Sequence, residues 1–229
     1  MASTKVIRSF ASGLALSLAS YAAIIRPRLL RWGATDEELK SVYPGAGLIT
    51  RGKRAPTLAI TIDAPPSAVW PWLVQIGYDR AVYYSWDLLD NLGRHSSDRI
   101  HPEWQSLAMG SRIKAMGVDG WEVAMLEPQR FLGLRPMPGY GADALWGFWL
   151  KELPGNRTRL IVSGYWTMRP SWLQPFVSFF FYEWTHWIMQ TRQLANLKRR
   201  AERAWGSEQR HTFMPNVELS ERNIQIGAS

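Results

Sequence analysis

Residues 57–62 set the pattern for the chain. Leu58, Ile60 and Ile62 alternate with Thr57, Ala59 and Thr61, which makes a strand with one apolar face. Asp63, Pro65 and Pro66 end it, because proline has no N–H for a ladder but fits the first turn of a helix. Val69, Trp70, Leu73, Val74 and Ile76 then recur at helical spacing, and Gly77 closes that helix. Further runs carry strand patterning at 110–116, 121–127, 131–135, 144–150 and 159–168. The turn-forming stretches GVDG, EPQ, PMPGYGAD and PGN separate them, so the spacing predicts one antiparallel meander. Residues 172–205 predict a long helix with Pro175 in its first turn.

Shorter signals complete the order. Thr35 and Glu38 have the T-x-x-E spacing of a capping box and start a short helix. Residues 44–53 read as a loop. Ser85 is placed to cap a helix over 86–92, and Gly93 to end it. Residues 206–229 are polar and aperiodic and read as a disordered tail. At the other end, residues 9–25 (SFASGLALSLASYAAII) carry no charge, and 17 residues is at the low end of what spans a bilayer. As a helix this run puts Phe10, Leu14, Leu18, Tyr21 and Ile25 on one face and mostly Ala and Ser on the other. Lys5 and Arg8 precede it; Arg26, Arg28 and Arg31 follow it. Those arginines disfavour export and predict a membrane-associated helix with the folded domain on the cytoplasmic side. A signal peptide with a small-x-small site at 20–22, a spanning anchor and a helix packed on the domain are the alternatives. The expected organisation is a hydrophobic helix in 1–33, a linker with the capped helix in 34–56, one domain in 57–205, and the tail.

The strand entering DAPPSAVWPWL and a short helix resembles the opening of the START and polyketide-cyclase-like superfamily (SRPBCC), which has the fold of the major birch-pollen allergen. The blocks RWGATDEE (31–38), YSWDLLDNL (84–92), DRIHPEW (98–104) and TRLIV (158–162) are similar to those of one bacterial branch of it. The resemblance spans about 31–203. It implies an α+β helix-grip fold, a curved antiparallel sheet wrapped on a long C-terminal helix. It says little about activity, because one such scaffold hosts many. The order of elements has its own physical consequence. A curled sheet does not close fully on a straight helix, so an apolar hollow is expected between them.

Composition narrows the partners. The 229 residues are 46% hydrophobic and 20% charged, ordinary for a domain with an ample core. Tryptophan is the outlier at 13 residues, and it suits a core, a ligand wall or a membrane boundary. With no cysteine, disulfides, thiolate nucleophiles and Cys-based metal sites are excluded. The net charge of +8 suits an anionic membrane surface. No helix-turn-helix, zinc-finger or RRM pattern accompanies it, so nucleic acid is not an expected partner. From 172 to 189 the only formal charge is Glu183, and Phe176, Phe179, Phe180, Phe181, Tyr182, Trp184 and Trp187 surround the helix. A helix that is apolar all round is buried or in lipid. Together with the N-terminal helix it is expected to form a membrane-facing surface near the cavity mouth. The basic run Lys198, Arg199, Arg200 and Arg203 is a further candidate for lipid phosphates.

Candidate ligand contacts are Tyr84, Trp104, Trp121, Trp146, Phe148, Tyr165, His186 and Met189. Trp146 and Phe148 share one strand face and Trp149 lies on the other. Tyr165 shares a face with Ile161 and Ser163. Periodicity leaves open which face points inward. Apolar residues on both sides imply that the outer face is covered too, with the N-terminal segment as the candidate cover. Asp98, His101 and His186 are candidate proton-transfer groups. The loop around Asp98 and His101 also reads as a structural turn, and His186 as a core histidine. The four histidines lack metal-site spacing and no H-E-x-x-H occurs, so no metal is expected. Without a G-x-S-x-G, a P-loop or a G-x-G-x-x-G, esterase, NTPase and dinucleotide chemistry lack support and no cofactor is expected. The leading expectation is binding of an apolar small molecule or lipid in the cavity, at or near a membrane. A cyclase/dehydrase-like enzyme and a ligand-free membrane-associated scaffold filled by its own tryptophans are the alternatives.

Overall fold

The computed structural model describes residues 2–213 apart from 117, 140 and 141. Helix α1 (Ala2–Ser20) passes through a π-turn (Tyr21–Ile25) into α2 (Arg26–Leu30). Pro27 accounts for the turn. It has no N–H to offer the preceding turn and its ring crowds the carbonyl four residues back, so the Arg26 N–H reaches the Tyr21 carbonyl instead. Helix α3 (Asp36–Lys40) starts at a complete capping box. The Thr35 N–H donates to Glu38 Oε2 at 2.8 Å and the Glu38 N–H to Thr35 Oγ1 at 3.2 Å.

Strands β1 (Lys53–Arg54) and β2 (Leu58–Ile62) lead to α4 (Pro66–Val74) and α5 (Asp87–Asp90). Then come β3 (Arg112–Ala115), β4 (Val118–Glu127), β5 (Phe131–Pro136), β6 (Ala142–Leu153) and β7 (Arg157–Met168). The chain is helical from Ser171 to Phe213, through a 3-10 turn, α6 (Gln174–Val177), a π-turn (Ser178–Tyr182) and α7 (Glu183–Phe213). The sheet order is β1-β7-β6-β5-β4-β3, with β2 also paired to β7. All pairs are antiparallel, and register shifts in β3 and β4 add curvature. Helix α7 crosses the concave face and packs Leu194, Leu197 and Ala201 into a core with Leu58, Ile62, Trp72 and Leu73. This is the α+β helix-grip fold.

The convex face carries a second buried cluster of Tyr43, Ile49, Ala59, Phe131, Leu145 and Ile161. Its cover is the loop after α3, not the N-terminal helix that the sequence suggested. The Tyr43 ring sits edge-on to Phe131 and Trp149 at 5.8 and 5.7 Å. Its hydroxyl lies 2.7 Å from the Gly147 carbonyl and 3.0 Å from that of Ile161. Gly147 leaves the room, since a Cβ there would stand 2.8 Å from the Tyr43 and Phe131 rings.

Two boundaries differ from expectation. Ser85 does not cap α5; its hydroxyl donates to the Met189 carbonyl at 3.1 Å, and Trp86 holds the cap position. The expected tail at 206–229 is helical through Phe213, and the rest of it lies outside the described residues. The N-terminal helix exposes Phe10, Leu14, Leu16 and Leu18, and meets the domain only near its end. There Tyr21 stacks on Trp184 at 4.9 Å and meets Phe179 edge-on at 5.0 Å. Arg26 gives Glu183 two charged hydrogen bonds, 2.7 and 2.9 Å long. Among the described residues, Arg8–Leu30 is the one helix long and apolar enough to cross a membrane.

Candidate functional site

Strand alternation sends Trp146 and Phe148 to the concave face and Leu145 and Trp149 to the convex one. Trp121 joins the concave side from β4, and Trp166 from β7, in phase with Leu160 and Val162. On α7 the contact is uneven. Leu194, Leu197 and Ala201 seal against the sheet, but His186, Met189 and Gln190, one to four turns earlier, face a cavity of about 630 Å³. A straight helix meets a curved sheet along part of its length and stands off elsewhere. The hollow is far larger than the ~30 Å³ share of one water molecule. The tryptophans line it without plugging it.

Two aromatic groups form parts of the wall. Trp146 lies 5.2 Å from Trp121 and 6.2 Å from Tyr83, ring centre to ring centre. Tyr182 lies 4.9 Å from Trp166 and 5.2 Å from His186. A polar relay ties the first group to α7. Trp146 Nε1 donates to Gln190 Oε1 at 3.0 Å, Gln190 Nε2 to Gln193 Oε1 at 2.6 Å, and Gln193 Nε2 to the Tyr83 carbonyl at 2.8 Å. Asn196 Nδ2 donates to the Tyr84 carbonyl at 2.6 Å. These amides hold a strained segment: Val82 and Tyr84 have φ of 54° and 58°, where non-glycine residues are rare. The relay therefore fixes the Tyr83 ring on the wall.

Two titratable groups of the wall, His186 and Asp90, are shifted toward neutrality. Burial pushes the His186 imidazole down to about 4, and its buried Nε2 has no hydrogen-bond partner. Burial raises the Asp90 carboxyl, partly offset by the neighbouring Ser85 side chain. Among the described residues, no lysine or arginine lines the cavity.

Of the residues singled out in the sequence, Trp121, Trp146, His186 and Met189 lie on this wall. Tyr165 borders it through its strand, but its ring packs on the convex side, with the hydroxyl 3.4 Å from the Tyr43 carbonyl. Tyr84 and Phe148 lie behind the wall, fully buried in the core. Trp104 is outside, stacked on His101 at 4.0 Å. Asp98 and His101 are also off the cavity, in a loop tied down by Gln75. Gln75 Oε1 accepts the His101 N–H at 3.0 Å, and Gln75 Nε2 donates to the Tyr84 hydroxyl at 2.8 Å and the Arg99 carbonyl at 3.0 Å. His101 pairs with Ser97 Oγ at 2.9 Å and Glu103 at 3.2 Å. That is a structural turn, and of the three proton-transfer candidates named from the sequence only His186 lies on the wall. Sequence reading passed over Gln190 and Gln193. Two amides three residues apart on an otherwise apolar helix face were the available signal.

Fold and site define a helix-grip α+β protein with an internal apolar cavity. No family model and no curated protein matches the chain. Solved structures match at low identity. The Zhui aromatase/cyclase from a Streptomyces species is 13% identical over 67% of this chain and 95% of its own, with a TM-score of 0.42. Protein MLL2253 from Mesorhizobium loti is 19% identical over 64% of this chain and 97% of its own, at 0.38. DynU16, from the dynemicin biosynthetic locus, is 18% identical over 62% of this chain at 0.39, and the chain spans 46% of its length. Likeness this distant says nothing about a substrate.

Proposed function

We propose that this protein binds an apolar small molecule or lipid in the cavity between sheet and C-terminal helix, with its domain held at the cytoplasmic face of a membrane. The supporting observation is the hollow itself. About 630 Å³ walled by Trp121, Trp146, Trp166 and Met189, with few polar groups, has the size and lining of a small-molecule site.

The membrane part rests on the N-terminal helix and its clip. Arg8–Leu30 is about 35 Å long as a helix, enough to cross or lie on a bilayer. Beside the clip, Trp172, Phe176 and Phe181 are 76%, 54% and 60% exposed, which suits the headgroup level. Arg28 stands next to it for anionic lipid, whereas Arg31 is paired with Asp36. The later basic run contributes less. Lys198 donates to the Thr61 carbonyl and Glu202, and Arg200 to the Ser96 and Ser97 carbonyls.

Native mass spectrometry of the full chain tests the binding reading, with a co-purifying apolar molecule as the expected result. A chain that carries none and takes up no neutral dye such as Nile red would end it. Fractionation of the full chain and of a chain lacking residues 9–25 tests the membrane part. A full chain that stays wholly soluble at low salt would sink that part. A cyclase-like reaction in the same cavity is the second reading, favoured by the unpartnered neutral imidazole of His186. It requires that His186→Ala abolish turnover while the apolar ligand still binds.

A further inference from the structure

The surface and the cavity of this protein have opposite electrostatic character. The chain carries a net charge of +8, yet no lysine or arginine among the described residues lines the cavity. Three arginines near the wall are held by ring and hydrogen-bond contacts of their own. Arg54 donates to Ser163 Oγ and lies over the Tyr43 ring on the convex side. Arg192 lies over Trp86, and Arg200 over Tyr84. Within the wall, Asp90 is the one carboxyl and His186 the one imidazole.

An ionised head group brought into this space would lose its water and gain no counter-ion. The penalty for such a transfer is several kcal/mol per ion, even after relaxation. Asp90 adds a like charge against an anion whenever it ionises. The imidazole does not compensate, because burial keeps it neutral at ordinary pH. A hydroxyl or carbonyl end fares differently. It gives up one or two hydrogen bonds to water and finds new partners in His186, Tyr182 and Gln190. The rest of the molecule meets indole faces and methionine, which take rings and chains alike.

We propose that the cavity selects an uncharged amphiphile, an apolar body with a hydroxyl or carbonyl end, and rejects ionised fatty acids and anionic phospholipids, with Asp90 enforcing the rejection. This rests on the cavity-binding reading above. It separates the two roles of lipid: anionic lipid meets the basic surface and the cargo is neutral.

The test uses the full chain at pH 8 with Nile red as reporter and two competitors of equal chain length, dodecanol and dodecanoate. Dodecanol is expected to displace the dye at least about tenfold more tightly, a difference of about 1.4 kcal/mol. Asp90→Asn, which keeps the shape of the side chain, should narrow the gap by strengthening dodecanoate only. Dodecanoate that binds as tightly as dodecanol, or tighter, overturns the selectivity and leaves the binding reading intact. A gap that Asp90→Asn leaves unchanged removes Asp90 from the account. Dye that neither competitor displaces refutes the cavity-binding reading itself.

Discussion

On the convex face of the sheet, Phe131, Leu145 and Ile161 are at most 2% exposed beneath a loop. On the concave face, Trp121, Trp146 and Trp166, from β4, β6 and β7, border an open hollow. Both faces are apolar and both carry aromatics. The difference lies in what covers them. A loop bends to the sheet and can insert one side chain where it fits; Tyr43 enters the gap above Gly147 and finds two carbonyls for its hydroxyl. A helix is a straight rod with fixed spacing between its contacts. Helix α7 seals where Leu194 and Leu197 touch and stands away at His186. Complete packing on one side and a cavity on the other follow from the stiffness of the cover more than from the residues beneath it.

The largest test of this contrast is Tyr43→Ala. It removes a packed ring and its hydrogen bonds, and should cost about 3–5 kcal/mol in urea unfolding. Trp146→Ala removes a larger side chain that already borders empty space, and should cost about 1–2 kcal/mol. Equal losses at the two sites would break the comparison.

The second test is pH. The buried Tyr43 hydroxyl on the packed side is satisfied, whereas His186 Nε2 on the hollow side is not. The native imidazole titrates at about 4, below its ordinary 6.5. As pH falls from about 6.5 to 4, the unfolded chain takes up a proton that the native state refuses. Stability should therefore drop in that window, by up to about 3 kcal/mol, and level off below it. His186→Phe should lack this drop. Parallel stability curves for the two proteins would show that the imidazole titrates normally.

The smallest effects come from a matched pair of enlargements. Gly147→Ala drives a methyl into the Tyr43 and Phe131 rings and should cost about 1–3 kcal/mol. Ala144→Phe projects into the hollow from the same strand and should change stability by less than about 1 kcal/mol while abolishing Nile red uptake. If Ala144→Phe is the more destabilising, the cavity is not the open space described.

Much of the architecture was legible because it is local. Alternation placed β2 to β7, the T-x-x-E spacing placed α3, and the long uninterrupted pattern placed α7. The site was legible only in part. Trp121, Trp146, His186 and Met189 were readable as aromatic, imidazole or thioether groups on elements bound to meet. Asp98 and His101 looked equally chemical, and nothing within their loop reveals that Gln75, from the end of α4, ties it down. Tyr43 gave no signal at all, since a lone tyrosine in a loop has no period.

By itself the chain dictated most of its elements, their order, the excluded chemistries and an uncharged N-terminal run at 9–25 flanked by arginines. Only the tertiary structure decided which sheet face is hollow, that a loop rather than the first helix covers the other, and that His186 but not His101 reaches the cavity. The physical reason is symmetry and distance. An alternating strand looks the same from both sides, and the gap between a curved sheet and its cover is set by contacts far apart in sequence that no local pattern encodes.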